Sequence, residues 1–209
     1  MGNINLEKFA WLAGLVASDG HIEKDRNRVT IYSKNKQFIE KIKRKIEELV
    51  NESPYVEFTN NTYRIRITSH NLVKVLTERF NIPPGKKCDK ISLPPIFQKK
   101  FLEGFIDGDG SVHLIREKHR YKCRIYTYIV PEFSLRVKSK KFLEGFVNFC
   151  KKRCVTTSKI YLKKDGCYEV RVRGWKEFLK FIRIFHFSHP QKVKKIREIL
   201  NSTPPKVRP

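Results

Sequence analysis

The chain has 209 residues and a formal net charge of +24, with 45 Lys and Arg against 21 Asp and Glu. Such an excess repels itself in a compact state and points to a polyanionic partner; no long basic amphipathic helix with an aromatic face stands out, so nucleic acid is favoured over a membrane surface. A hydrophobic content of 40% excludes wholesale disorder, and no run of about 18 apolar residues is present to span a membrane.

The opening MGNINLEKFAW lacks the basic region, apolar stretch and small-residue cleavage site of a signal peptide. Five cysteines without a CxxC pair read as reduced thiols. The expected setting is intracellular: cytoplasm or nucleoid in a prokaryote, an organelle in a eukaryote.

In chain order, Asn5 is a candidate N-cap for a helix holding WLAGLVASDG (11–20). The next stretch, RVTIYSKNKQFIEKI (28–42), begins as an alternating strand. Val29, Ile31 and Ser33 face one way; Arg28, Thr30, Tyr32 and Lys34 face the other. It continues as a helix carrying Phe38 and Ile39. In TYRIRIT (62–68), Ile65 and Ile67 oppose Arg64, Arg66 and Thr68, and the helical pattern NLVKVLTERF (71–80) follows. Two Pro-Pro pairs make NIPPGKKCDKISLPP (81–95) a linker, with Ser92 a candidate cap for the helix beyond it.

That helix holds FLEGFIDGDG (101–110), in which Leu102, Gly104, Asp109 and Gly110 repeat Leu12, Gly14, Asp19 and Gly20 at a shift of 90. The repeat extends downstream. FSLRVKSKKFLEGFV (133–147) places Lys138 on Lys34, and Phe142-Leu143 on Phe38-Ile39. Here Phe133, Leu135 and Val137 oppose Ser134, Arg136 and Lys138. Further on, Ile160 and Leu162 oppose Lys159, Tyr161 and Lys163, and Val170 and Val172 oppose Glu169, Arg171 and Arg173. The helical pattern KEFLKFIRIF (176–185) closes the second copy.

Each copy therefore reads helix, two strands, helix, two strands, helix. The expected halves are 1–80 and 96–209, joined by 81–95. They differ in one hairpin: 15 residues separate Asp19 from Lys34, but 29 separate Asp109 from Lys138. The extra residues include RYKCRIYTYIV (120–130), whose alternation groups Arg120, Lys122, Arg124, Tyr126 and Tyr128 on one side. Unequal halves suit an asymmetric target.

The pairs Ala13/Ala17, Gly14/Ser18 and Gly104/Gly108 are each four apart, so each lines one helix face and permits close helix–helix approach. A mid-helix glycine costs about 1 kcal/mol against alanine, so a compensating contact is expected at two matched positions. Asp19 and Asp109 each end a helix, where a carboxylate meets the negative end of the helix dipole at a cost of about 0.3–1 kcal/mol. Side by side they would repel each other and call for a cation. Carboxylates and main-chain carbonyls are hard ligands, suited to magnesium rather than zinc. A lone Asp-Gly is ordinarily a turn; duplication in register beside basic strand faces favours a metal site and phosphodiester hydrolysis. Lys34 and Lys138 would neutralise phosphate charge or assist deprotonation of water, against the plainer role of phosphate contact.

LAGLVASDG and LEGFIDGDG resemble the two signature motifs of the LAGLIDADG homing endonucleases in their single-chain form, as found in archaeal and organellar introns. The resemblance implies an α+β fold of tandem αββαββα repeats, with two saddle-shaped antiparallel sheets over DNA and a central two-helix interface. It implies divalent metals bound by Asp19 and Asp109, joined by the carbonyls of Ser18 and Gly108, with Lys34 and Lys138 as the lysines after the second strands. Mg2+ is the expected ion; Mn2+ or Ca2+ fits the same sites, Ca2+ without cleavage. Both DNA strands would be cut across the minor groove, leaving short 3′ overhangs. Two departures stand out. Glu103 replaces a usual alanine, which predicts that this face of the second helix is exposed, and Asp107 stands where the first copy has Ala17.

Candidates for groove and backbone contact are Arg28, Thr30, Tyr32, Arg64, Arg66, Thr68, Arg120, Lys122, Arg124, Tyr126, Tyr128, Arg136, Lys159, Tyr161, Lys163, Arg171 and Arg173. The first reading is a monomeric, pseudo-two-fold, metal-dependent endonuclease acting on double-stranded DNA at a long asymmetric site. The second is an intron-RNA splicing cofactor without nuclease activity, which loss of a motif aspartate would favour. A DNA-binding regulator would call for an added reading domain, for which the chain has no room.

Overall fold

Helix α1 (Leu6–Asp19) runs directly into strand β1 (Gly20–Glu23), and a short 3-10 turn leads to β2 (Arg28–Ser33). Then come α2 (Lys36–Val50), β3 (Tyr55–Thr59), β4 (Thr62–Thr68) and α3 (His70–Lys74), which continues as a π-helical turn to Arg79. The order recurs as α4 (Gln98–Asp109), β5 (Gly110–Tyr121), β6 (Arg124–Val137), α5 (Lys140–Lys151), β7 (Tyr161–Leu162), β8 (Tyr168–Arg173) and α6 (Trp175–Ile184). The second half then adds α7 (Pro190–Asn201). This computed structural model describes residues 5–85, 89–121 and 123–202, without the side chains of His119 and Tyr121. Lys122 and Cys88 lie outside the described residues.

The two four-stranded antiparallel sheets have the same order, β1-β2-β4-β3 and β5-β6-β8-β7. Their apolar alternation buries Val29, Ile31, Ile65 and Ile67 in one half, and Phe133, Leu135, Val170 and Val172 in the other. The amphipathic helices α2, α5 and α6 contribute Phe38, Ile39, Phe142, Phe146, Phe178 and Phe181 to a core continuous through both halves. The second half is built on phenylalanine: Phe181 lies 4.4 Å from Phe133 and 4.7 Å from Phe185, ring centroid to centroid. Each such ring contributes about 1.5–3 kcal/mol by leaving water. Cys150 packs among them, and burial pushes its thiol up to about 12. No disulfide joins the described cysteines.

Several sequence expectations shift. Asn5 occupies the N-cap position of α1 but makes no side-chain cap; its carbonyl accepts from Lys8 N at 3.1 Å. Ser92 does not cap α4. That helix starts later, after Phe97 adopts φ +48, because the prolines before it hold the chain out of helix. Strand β7 is reduced to Tyr161 and Leu162, and Leu162 is 65% exposed rather than core-facing. The long second hairpin is present as β5–β6. Arg120, however, pairs with Ile125, and His119 pairs with Tyr126. Arg120 therefore lies on the face opposite Arg124, Tyr126 and Tyr128, because the chain reverses between β5 and β6 and alternation does not carry through a turn.

Candidate active site and nucleic-acid interface

Helices α1 and α4 pack in parallel at backbone contact. A Cβ on Gly14 would lie 1.8 Å from the Phe101 carbonyl oxygen, and one on Gly104 would lie 1.8 Å from the Trp11 carbonyl oxygen. These two contacts interchange under the shift of 90, so a pseudo-two-fold axis runs between the helices. At the carbonyl ends the approach tightens further. A Cβ on Gly108 would lie 2.0 Å from Ser18 Oγ and 3.0 Å from Asp19 Oδ2. Gly20 and Gly110 then leave the helices in extended conformation, at φ -102 and -70, not through a left-handed turn.

This packing sets the Asp19 carboxylate against the last turn of α4, whose final residue is Asp109. The oxygens gathered there are hard donors, and they fit a divalent cation such as Mg2+. Among the described residues no group of three or more His, Cys, Asp or Glu could hold a metal, so carbonyls and water would complete the shell. A cleft of about 220 Å3 beside the helix ends is lined by Ser18, Asp109, Arg136 and Lys138. Lys138 thus shares this cleft with Asp109. Lys34 is exposed beyond the end of β2 and does not line this cleft.

Glu103 and Asp107 are the surprise. Glu103 is 2% exposed and Asp107 is fully buried, which overturns the exposed face expected of this helix. Asp107 accepts hydrogen bonds from Trp11 Nε1 at 2.9 Å, Ser188 N at 2.8 Å and His189 N at 2.9 Å. Glu103 accepts from His186 N at 3.2 Å, with Lys99 and Lys100 nearby. The two acids, one turn apart on α4, thus hold the chain leading into α7. Burial raises the Asp107 carboxyl pKa despite these donors. The His189 ring packs tilted against Phe38, centroids 4.4 Å apart, and burial, aided by Lys192, lowers its imidazole to about 4.

Helix α7 delivers Lys192 to the end of α4. Its ammonium donates to the carbonyls of Ile106 at 2.7 Å, Asp107 at 2.6 Å and Gly108 at 2.7 Å. Burial lowers its pKa to about 8, opposed by the charges of Asp107, Asp19 and Asp109. Sequence reading does not find this residue. Its only signals are Pro190 at a helix start and the spacing of Val193, Ile196 and Ile199; nothing local announces the destination of its side chain.

The polar sheet faces carry expected arginines, and six of them are held by acids. In the first sheet Arg28 pairs with Glu23 at 2.5 Å, and Glu57 receives Arg64 at 3.0 Å and Arg66 at 2.7 Å. In the second, Arg136 pairs with Asp165, Arg171 with Glu169, and Arg173 with Glu117 at 2.5 Å. Lys163 also reaches Glu169, at 2.8 Å. The Arg28 guanidinium holds the Glu23 carboxyl below its ordinary range. Thr68, Arg124, Lys159, Tyr32, Tyr126, Tyr128 and Tyr161 are exposed. Arg64 lies over the Tyr32 ring at 5.7 Å. Thr30 is on this face by register, between His21 and Arg66, but is 2% exposed and closed to a ligand. Tyr55, paired with Arg66 and 62% exposed, shares the face and is absent from the sequence-derived candidates.

Residues 6–81 match a family model described as a LAGLIDADG-like domain. The chain is 27% identical over 203 residues to homing endonuclease I-ApeI of Aeropyrum pernix, covering 91% of this chain and 86% of that one. Among solved structures, one of I-DmoI in complex with DNA and Mn superposes with a TM-score of 0.63 at 19% identity, covering 88% of this chain and 99% of that one. The I-LtrWI LAGLIDADG homing endonuclease bound to target DNA superposes with a TM-score of 0.64 at 12% identity, covering 94% and 91%. No helix among the described residues is long and apolar enough to cross a membrane.

Proposed function

From a chain whose residues 6–81 match a LAGLIDADG-like domain and whose two sheets and paired helices have the fold of LAGLIDADG homing endonucleases, we propose a site-specific, divalent-metal-dependent double-strand DNA endonuclease. One observation carries the reading. Two helices in backbone contact bring Asp19 and Asp109 to one end of the interface, beside a cleft lined by Lys138.

The two halves, 1–80 and 96–209 about the linker 81–95, each present one sheet to the duplex. Arginines and exposed tyrosines on these faces bind the backbone and the major-groove edges. The longer β5–β6 hairpin gives the second half more reach, which suits an asymmetric target. Asp19 and Asp109, with the Ser18 carbonyl, would hold Mg2+, which when bound supplies Lewis-acid stabilisation of the phosphate and an acidified water; the Gly108 carbonyl, expected beside them, accepts from Lys192 instead. Lys138, which lines the cleft, would neutralise phosphate charge developing there. Lys34 is a phosphate contact on the first sheet. Cleavage leaves short 3′ overhangs.

Incubating the chain with a randomised duplex library and Mg2+, then sequencing the cut ends, tests activity, site and overhang together. Double-strand breaks at one recurrent sequence are expected. Uncut DNA with Mg2+ and with Mn2+ would exclude the reading.

A further inference from the structure

The pseudo-two-fold relation between the halves ends at α7. The first half closes with α3 and its π-helical turn before the linker, whereas the second half carries α7 beyond α6. Glu103 and Asp107 fasten the stretch before α7 through the amides of His186, Ser188 and His189. Ile196 and Ile199 then bury the helix's apolar side. With its start fixed to α4, α7 points Lys192 back at the carbonyl end of the same helix.

The arrangement is saturated. An ammonium has three N–H donors, and here all three are engaged by the last carbonyls of α4, at 2.6–2.7 Å. A helix end carries about half a negative charge, and the Asp19 and Asp109 carboxylates act on the same ammonium. The Gly108 carbonyl, one of the oxygens expected to serve as a metal ligand, is already bound to a cation that belongs to the chain.

We propose that Lys192 is a resident cation of the cleavage site, a positioning residue that takes the place of a metal contact at Gly108 and fixes the end of α4 beneath Asp109. The proposal rests on the metal-dependent endonuclease reading. It makes the two motif ends inequivalent: the Asp19 side offers carboxylate and carbonyl to a divalent ion, while the Asp109 side offers its carboxylate without the Gly108 carbonyl, which the ammonium occupies.

The test is Mn2+ binding to the full chain without DNA, followed by electron paramagnetic resonance. The proteins compared are wild type, Lys192→Gln, Lys192→Arg and Asp19→Asn. Removing one positive charge beside two carboxylates should let Lys192→Gln bind one Mn2+ more per chain, or bind it about tenfold tighter. Lys192→Arg should restore wild-type binding, which a purely packing role would not require. Unchanged or weaker Mn2+ binding by Lys192→Gln overturns the proposal. If that variant loses its helical circular dichroism, Lys192→Met takes its place in the same titration. Asp19→Asn keeps the two readings apart. Wild-type Mn2+ binding in Asp19→Asn would remove the metal role of Asp19, while the Lys192→Gln titration would still decide that of Lys192.

Discussion

Gly14 meets the Phe101 carbonyl so closely that a Cβ would stand 1.8 Å from that oxygen, and Gly104 meets Trp11 in the same way. The obstacles are backbone atoms of a neighbouring helix, so no side-chain rotation relieves them. Gly14→Ala or Gly104→Ala gains about 1 kcal/mol of helix propensity. Both should nevertheless lose stability, by a net of about 2 kcal/mol or more, because the helices must separate. Urea unfolding measures this; an unchanged midpoint would contradict the packing.

Asp19→Asn and Asp109→Asn keep side-chain shape and remove charge. Under the proposed function each should lower double-strand cleavage at least about a hundredfold, while gel-shift affinity for the target changes little. Cleavage that survives in both variants would remove the aspartates from the chemistry.

Glu57 binds two arginines of the first sheet, Arg64 and Arg66. Under the proposed function, its carboxylate competes with phosphate for both. Glu57→Gln should therefore tighten non-specific DNA binding and steepen its salt dependence, by about 0.9 in log–log slope for each additional phosphate neutralised. Fluorescence anisotropy across a salt series reads both quantities. Weaker binding would instead mean that Glu57 holds the two guanidiniums in their binding pose.

His189 sets a pH limit. Its folded pKa, about 4, lies below the ordinary 6.5 because burial against Phe38 disfavours the charged ring and Lys192 repels it. The unfolded chain therefore takes up a proton first. The His189 contribution is complete above about pH 6.5, is lost as pH falls, and levels off near 4. Asp107, hydrogen-bonded to the His189 amide, opposes the trend, since its raised pKa lets the fold accept a proton more readily than the unfolded chain. Wild type should lose a few degrees of thermal midpoint between pH 6.5 and 4.5 that His189→Leu does not lose. Parallel curves for the two proteins would exclude this assignment.

What is legible in the sequence is periodic or repeated. Alternation locates the strands, and the doubled motif locates Asp19, Asp109 and the glycine contacts, because both signals are local. Three features are not local. Alternation alone puts Arg120 on the wrong face, because a reversal of the chain resets it. Glu103 reads as a surface residue because glutamate usually is one; the amide it accepts from, that of His186, arrives 83 positions later. The acids on the polar sheet faces are visible in composition, but cross-strand register alone decides that Glu57 lies beside Arg64 and Tyr55 beside Arg66.

The Ser18–Gly108 contact bears on how the two halves could be exchanged. A Cβ on Gly108 would fall 2.7 Å from the Ser18 Cβ, so the interface has room for one side chain at that level. Two copies of the first half would set serine against serine and could not close. Two copies of the second half would close on a void. The duplicated motifs have become a matched pair, and a chimera built with either half inherits the requirement that one partner bring glycine there.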